Sequence, residues 1–226
     1  MTAGPHAVLF DCDGVIADSE PLHLRAFQRV LAPLGITITD AEYAGRYLGL
    51  DDRGVFEEAL RLHGRAGDPT TIATLLATKA KDFRHVLESE TRIYPGVVEF
   101  VRALAGVPLA VVSGALREEI EIILRQAGIR DAFAVIVGAE DVRAGKPDPE
   151  GFLRALGTLG AGAAIDARAC LVVEDSLAGL EAATRAHMRR LAVTNSYPAA
   201  ELQPLADLVV PTLAGLTLAR VQQLFA

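Results

Sequence analysis

Polar side chains follow four short apolar runs of this sequence, where each run ends or soon after it. They are Asp11 and Asp13 after the first run, Ser113 and Gly114 after the second, Lys146 after the third, and Glu174 and Asp175 after the fourth. Each residue alone has an ordinary structural explanation, because Asp and Ser cap helices and lysine is a common surface charge. Their occurrence in order after successive runs favours one shared site.

The residue types indicate chemistry on an anion with the help of a cation. Converging carboxylates make a hard oxygen site suited to Mg²⁺, and they repel one another unless a cation is present. A lysine ammonium, and a serine hydroxyl followed by glycine at a helix start, can bind phosphoryl oxygens. Cys12 lies between two acids that would raise the pKa of its thiol, so we expect a buried residue rather than a nucleophile.

Five apolar runs predict the strands that would position these residues. Each run is too short for a helix and is rich in leucine or β-branched residues, as in strands buried on both faces of a parallel sheet. The runs are Ala7–Phe10, Leu109–Val112, Ala134–Val137, Cys170–Val173 and Leu191–Val193. Segments with helical spacing separate the later runs; one ends at Gly128, and Asp148-Pro149-Glu150 is typical of a helix start. The alternation predicts an α/β fold with a doubly wound parallel sheet.

The alternation fails between the first and second runs, where only helical patterns occur. Ser19-Glu20-Pro21 begins one of them, and residues 70–87 form another. We interpret residues 18–90 as an inserted helical cap domain, with residues 1–17 and 91–226 forming the core. An insert after the first strand is expected over the carboxyl edge of the sheet, where such folds bind ligands. The sequence therefore predicts a helical lid.

Composition limits the partners and the compartment. The 226 residues are 51% hydrophobic with a net charge of −7, and no cluster of Lys and Arg occurs, which argues against nucleic acid and anionic membranes as partners. Two cysteines give no disulfide framework, and no apolar run approaches the ~20 residues of a membrane span. We therefore expect a cytoplasmic protein. The sequence leaves the oligomeric state open, with a monomer as the expectation.

The four motifs together resemble those of the haloacid dehalogenase (HAD) superfamily of phosphotransferases. The motifs are Phe10-Asp11-Cys12-Asp13-Gly14-Val15, Val112-Ser113-Gly114, Gly145-Lys146-Pro147-Asp148-Pro149 and Val173-Glu174-Asp175-Ser176. They occur in the family's order, and the resemblance covers essentially the whole chain, including the α-helical cap after the first motif. The pattern is similar to that of the sugar-phosphate phosphatases and β-phosphoglucomutases, which implies a Rossmann-like core and a small phosphorylated metabolite as substrate.

The resemblance implies a role for each motif residue. Asp11 would be the nucleophile that forms an aspartyl-phosphate, and Asp13 the general acid and base. Ser113, Gly114 and Lys146 would bind the phosphoryl group. Mg²⁺ would be held by Asp11, Asp13 through its backbone carbonyl, and Asp175, with Glu174 as a ligand or as a partner of the ligands. In the cap, His23 and Arg53 are candidates for substrate contact or for communicating closure.

Alternatives remain beside a Mg²⁺-dependent phosphatase. True dehalogenases need no general acid at the position of Asp13, and phosphonate-cleaving relatives need a cap lysine that Lys79 and Lys81 match poorly. A β-phosphoglucomutase-like phosphomutase needs a second phosphate site, for which only Arg117 is available after the second motif. A non-catalytic phospho-acceptor, similar to response-regulator receivers, would use the same residue types but has no large helical insert.

Overall fold

The structure of the chain is a computed structural model that describes residues 4–160 and 165–226. A six-stranded parallel sheet has the strand order β3-β2-β1-β4-β5-β6. The strands are β1 (Ala7–Phe10), β2 (Leu109–Val112), β3 (Phe133–Val137), β4 (Cys170–Glu174), β5 (Arg189–Val193) and β6 (Leu208–Val210). Five of them coincide with the predicted runs. The expected α/β fold with a parallel sheet is confirmed.

Burial on both faces explains why the central strands are short apolar runs. All residues of β1, β2 and β4 are buried, and apolar side chains of the flanking helices pack against them, among them Phe152 and Ala182. The sixth strand, β6, lies outside the predicted runs; it has three residues, lies at the sheet edge and has only one buried residue. An edge strand pairs with only one neighbour, so the three apolar residues of β6 are less buried than those of the central strands.

The chain divides into two compact units, of which the second is Ser19–Thr91 and the first is the rest. The helices of the first unit are α5 (Val97–Ala103), α6 (Arg117–Gln126), α7 (Glu150–Leu159), α8 (Leu177–Arg185), α9 (Ala199–Leu202) and α10 (Leu218–Gln222). Helix α8 begins where the Ser176 hydroxyl accepts a hydrogen bond from the Gly179 amide. Helix α7 begins one residue later than predicted, although the Asp148 carboxylate still accepts from the Glu150 amide.

The second unit is helical throughout its regular structure. Its helices are α1 (Glu20–Leu31), α2 (Asp40–Glu42), α3 (Asp52–Leu62) and α4 (Pro69–Glu90), and a turn of π-helix spans Tyr43–Tyr47. The Asp51 and Asp68 carboxylates cap α3 and α4, which explains where these helices begin. The unit has its own apolar core, built around Phe27 and Phe56.

Within the part of the chain that the structure describes, no helix is both long enough and apolar enough to cross a membrane. Cys12 and Cys170 are both buried free thiols.

Candidate active site

The loop after β1 holds Asp11 at the edge of the sheet. The Asp11 amide donates to Val173 O at 2.9 Å, which extends the pairing of β1 with β4 by one residue. The loop then turns back, with the Gly14 amide donating to Ala17 O at 2.9 Å. Gly14 has φ of +78°, and a Cβ there would lie 1.9 Å from Asp175 Oδ2. Only glycine therefore allows the turn and leaves space for the Asp175 carboxylate.

Lys146 joins two acids from different strands. Its Nζ lies 2.5 Å from Asp11 Oδ1 and 2.6 Å from Glu174 Oε1, and its side chain is 17% exposed. The ring of Phe152 packs 5.4 Å from the ammonium. A loop beyond β3 thus places a single positive charge between the ends of β1 and β4.

Glu174 is fully enclosed, and both of its oxygens have hydrogen-bond donors. Oε1 accepts from Lys146, while Oε2 accepts from the Asp175 amide at 2.9 Å, the Ser176 amide at 3.0 Å and the Ser176 hydroxyl at 2.9 Å. A Cβ at Gly179 would lie 1.8 Å from Oε1, so the first turn of α8 leaves room for this carboxylate. Glu174 therefore orients Lys146.

The end of β2 brings a hydroxyl to Asp13. Ser113 is buried, and its hydroxyl donates to Asp13 Oδ2 at 3.3 Å while accepting from the Ala115 amide at 3.1 Å. Gly114, the next residue, is exposed. The structure thus places Asp13 next to Ser113. It brings four further residues into one cluster, namely Asp11, Lys146, Glu174 and Asp175.

Burial dominates the electrostatics of this cluster. It raises the pKa of Asp11 to about 8 against the attraction of Lys146, and Glu174 and Asp13 raise it further. Burial alone would lower the pKa of the Lys146 ammonium, but Asp11 and Glu174 outweigh burial and raise that pKa. Burial likewise raises the pKa of the Cys12 thiol well above its ordinary value, with Asp13 and Asp11 adding to the effect. The thiol is therefore neutral and inert at neutral pH.

The donor set fits a hard divalent cation. Carboxylate oxygens of Asp11, Glu174 and Asp175 all lie within 4.8 Å of one another, and all three residues are buried. Oxygen donors of this kind suit Mg²⁺. Glu174 already has hydrogen-bond donors at both of its oxygens, so a cation bound there would have to share or displace them. Positive charge beside Asp11 would also favour its ionised form.

The two cap candidates belong to the second unit. His23 is buried on α1, with Nδ1 2.8 Å from Lys79 Nζ and its ring 4.3 Å from that of Phe83. Arg53 is exposed on α3, and its nearest acid, Glu57, lies 3.6 Å away. His23 is thus part of a buried cluster, whereas Arg53 faces solvent.

Two residues of the site were missed in the sequence analysis. Asn195 and Ser196 follow β5, where the Asn195 amide group donates to Gly14 O at 2.7 Å and the Ser196 hydroxyl donates to Asp175 Oδ2. The sequence does carry a signal, because both residues follow the fifth apolar run with only Thr194 between. The same rule that selected the other strand ends would have selected them.

Comparisons with known proteins identify the family to which the chain is similar. A sequence model described as "Hydrolase: haloacid dehalogenase-like hydrolase" matches residues 5–187. Protein CbbY of Rhodobacter capsulatus is 30% identical over 221 residues, covering 92% of this chain and 94% of that protein. Hexitol phosphatase B of Escherichia coli is 31% identical, covering 93% and 94%.

Solved structures show the same fold. The crystal structure of CbbY from Rhodobacter sphaeroides in complex with phosphate has a TM-score of 0.82 at 29% identity, covering 93% of this chain and 96% of that one. β-Phosphoglucomutase from Clostridium difficile reaches 0.85 at 22% identity, with coverage of 98% and 97%. Because the family model covers most of the chain, and a relative with 30% identity is matched over nearly its whole length, the chain belongs to the haloacid dehalogenase-like hydrolases.

Proposed function

We propose that the chain is a Mg²⁺-dependent phosphatase that hydrolyses small phosphorylated metabolites through an aspartyl-phosphate on Asp11. The observation that carries this proposal is the position of Lys146, 2.5 Å from Asp11 and 2.6 Å from Glu174. The ammonium is held beside the carboxylate that would attack, where it can stabilise phosphoryl oxygens.

In the first step, an oxygen of Asp11 attacks phosphorus, and the bond from phosphorus to the ester oxygen breaks. Asp13 gives its proton to the leaving alkoxide. Ser113 donates a hydrogen bond that in the resting site goes to Asp13 and that a phosphoryl oxygen could accept instead. Lys146 stabilises the charge on the transferring group.

In the second step, Asp13 takes a proton from water, which attacks the phosphorus of the aspartyl-phosphate. The bond between phosphorus and the Asp11 oxygen breaks, which releases inorganic phosphate and restores the carboxylate. Asp11 and Asp175, with the backbone carbonyl of Asp13, would hold the Mg²⁺. When bound, the cation supplies positive charge that offsets the repulsion between a carboxylate and a phosphate dianion.

The names of the relatives support the substrate class. Curated relatives include a hexitol phosphatase, a phosphoglycolate phosphatase from Yersinia pestis and a phosphorylated carbohydrates phosphatase from Thermotoga maritima. We therefore propose sugar or polyol phosphates as substrates.

The test is phosphate release from a panel of such compounds, with Mg²⁺ and with a chelator. We expect release only with Mg²⁺, and we expect Asp11→Asn to abolish it. Asp82→Asn, an exposed acid on α4, is the matched control and should keep wild-type turnover. Full activity of Asp11→Asn would refute the mechanism, and a long-lived aspartyl-phosphate without turnover would favour a phospho-acceptor instead.

The mutase alternative needs a second cationic site for the far phosphate of a bisphosphate. Arg117, its candidate, donates from Nη2 to Asp141 at 2.5 Å, and the Arg117 amide faces the Glu140 carboxylate at 3.0 Å. Two acids thus neutralise the residue and the helix start that would bind that phosphate. We expect β-glucose 1-phosphate, primed with the bisphosphate, to yield no glucose 6-phosphate.

A further inference from the structure

The loop after β5 contacts two parts of the proposed metal site, the turn that follows Asp13 and the carboxylate of Asp175. Asn195 Nδ2 donates to Gly14 O at 2.7 Å, and the Ser196 hydroxyl donates to Asp175 Oδ2. The start of the loop is fixed to the neighbouring strand, because the Thr194 amide donates to Val210 O at 3.1 Å. Asn195 is also the only asparagine among the 226 residues.

The two contacts meet at one crowded point. The carboxylate of Asp175 lies where a Cβ of Gly14 would be, with Oδ2 1.9 Å from that position. Asn195 holds the backbone of Gly14 on one side of the carboxylate, and Ser196 holds the carboxylate itself. Together they prevent the Asp175 side chain from rotating and the turn after Asp13 from opening.

Restraint of this kind matters for a metal ligand. Free carboxylates lose rotational freedom when they bind a cation, whereas a carboxylate already held by a hydrogen bond has less to lose. Outer partners of metal ligands typically change metal affinity or activity by about 10- to 100-fold when they are removed. Ser196 and Asn195 are placed to have this effect, one through the Asp175 side chain and one through the backbone next to Asp13.

We infer that Asn195 and Ser196 are positioning residues that set the affinity of the site for Mg²⁺. The inference rests on the proposed function, since it assumes that Asp11 and Asp175 hold the cation. Neither residue takes part in the chemical steps.

The experiment is a calorimetric titration of the purified protein with Mg²⁺ in the absence of substrate. We expect Ser196→Ala and Asn195→Ala each to raise the Kd by about 10- to 100-fold. Ser196→Thr, which keeps the hydroxyl, should bind within about threefold of wild type. Ser89→Ala in the second unit is the matched control, because it also removes a serine hydroxyl that makes a hydrogen bond, here to His85 O. This variant should leave the Kd unchanged.

A second measurement separates positioning from a general structural role. At saturating Mg²⁺, the kcat of Ser196→Ala should return to within about threefold of wild type, and its unfolding midpoint should stay close to that of Ser89→Ala. A wild-type Kd in both alanine variants would overturn the inference, as would a loss of kcat that Mg²⁺ does not restore. The absence of Mg²⁺ binding by the wild type would also overturn it, whereas the Asp11→Asn assay decides the proposed function separately.

Discussion

Two lysines, Lys146 in the first unit and Lys79 in the second, hold acids in contrasting surroundings. Lys146 is 17% exposed and lies between two carboxylates, with Asp13 and Asp175 nearby in the same site. Lys79 is fully enclosed, with Nζ 2.5 Å from Asp52, 2.8 Å from His23 Nδ1, and within 4.7 Å of two aromatic ring centres, those of Phe27 and Phe83.

The difference lies in how completely each charge is balanced. An ammonium can only donate hydrogen bonds, so in its contact with Lys79 the Nδ1 atom of His23 is the acceptor. The cluster around Lys79 then pairs one ammonium with one carboxylate, and the aromatic faces stabilise the cation further. Around Lys146 the carboxylates outnumber the ammonium. The excess negative charge around Lys146 favours binding of a cation together with an anionic ligand. The balanced charges around Lys79 instead stabilise the packing of the helices.

The largest effect should come from Lys146→Met. We expect kcat for phosphate release to fall by about 10³-fold, because the positive charge beside Asp11, the carboxylate proposed to attack phosphorus, is lost. The free energy of unfolding should fall much less than the loss of a buried ion pair suggests, since the pKa of Asp11 is already raised and its carboxyl can be neutralised by a proton. Lys81→Met, exposed on α4, is the control. Retention of a tenth of the wild-type kcat would contradict the proposed role of Lys146.

The next effect tests whether Glu174 orients Lys146. Gly179→Ala places a Cβ 1.8 Å from Glu174 Oε1, so the carboxylate must move and Lys146 with it. We expect kcat to fall by about 10²-fold, as for an ångström of misplacement. Gly157→Ala in α7 is the matched control, because a Cβ there meets nothing within 4 Å, and it should stabilise the protein by up to about 1 kcal/mol. Equal kcat values for the two variants would show that displacing the Glu174 carboxylate does not impair catalysis, and so that Glu174 does not orient Lys146.

Lys79→Met should have its main effect on stability, whereas Lys146→Met should have its main effect on kcat. Removing the ammonium leaves the partly exposed Asp52 carboxylate without its ion pair, and we expect a loss of about 2–3 kcal/mol in stability. Amide hydrogen exchange should localise the loss to Ser19–Thr91. The double variant Asp52→Asn with Lys79→Met should recover part of the loss, since no orphaned charge remains. Unchanged exchange in this unit would mean that the cluster does not stabilise it.

The smallest effect should come from Arg53→Ala. Arg53 and Glu57 are both more than half exposed and lie 3.6 Å apart, so we expect less than about 0.5 kcal/mol in thermal or urea unfolding. A rise in KM without a change in stability would instead give Arg53 the substrate contact that the family resemblance implies.

Much of the sheet and its strand-end residues could be predicted, because both follow from local rules. Short apolar runs predict buried parallel strands, and the carboxyl ends of such strands meet at one edge. The surroundings of Lys79 are different. Its spacing from Leu75 and Phe83 places it on the apolar stripe of α4, but spacing alone does not tell whether a lysine on a stripe is enclosed or reaches solvent. Its partners Asp52 and His23 come from other helices, and only the packed bundle determines their approach.

The position of β1 in the middle of the sheet has a consequence for how the molecule is made on the ribosome. This strand leaves the ribosome before both of its neighbours, β2 and β4, and the whole of Ser19–Thr91 is synthesised in between. The four apolar residues of β1 therefore have no neighbouring strand to pair with during much of translation, because both neighbours lie far along the chain. Asp11 meets Lys146 only after a further 135 residues have been made, and Glu174 follows later still. A truncated product that ends before β4 would therefore carry Asp11 without the cluster that surrounds it.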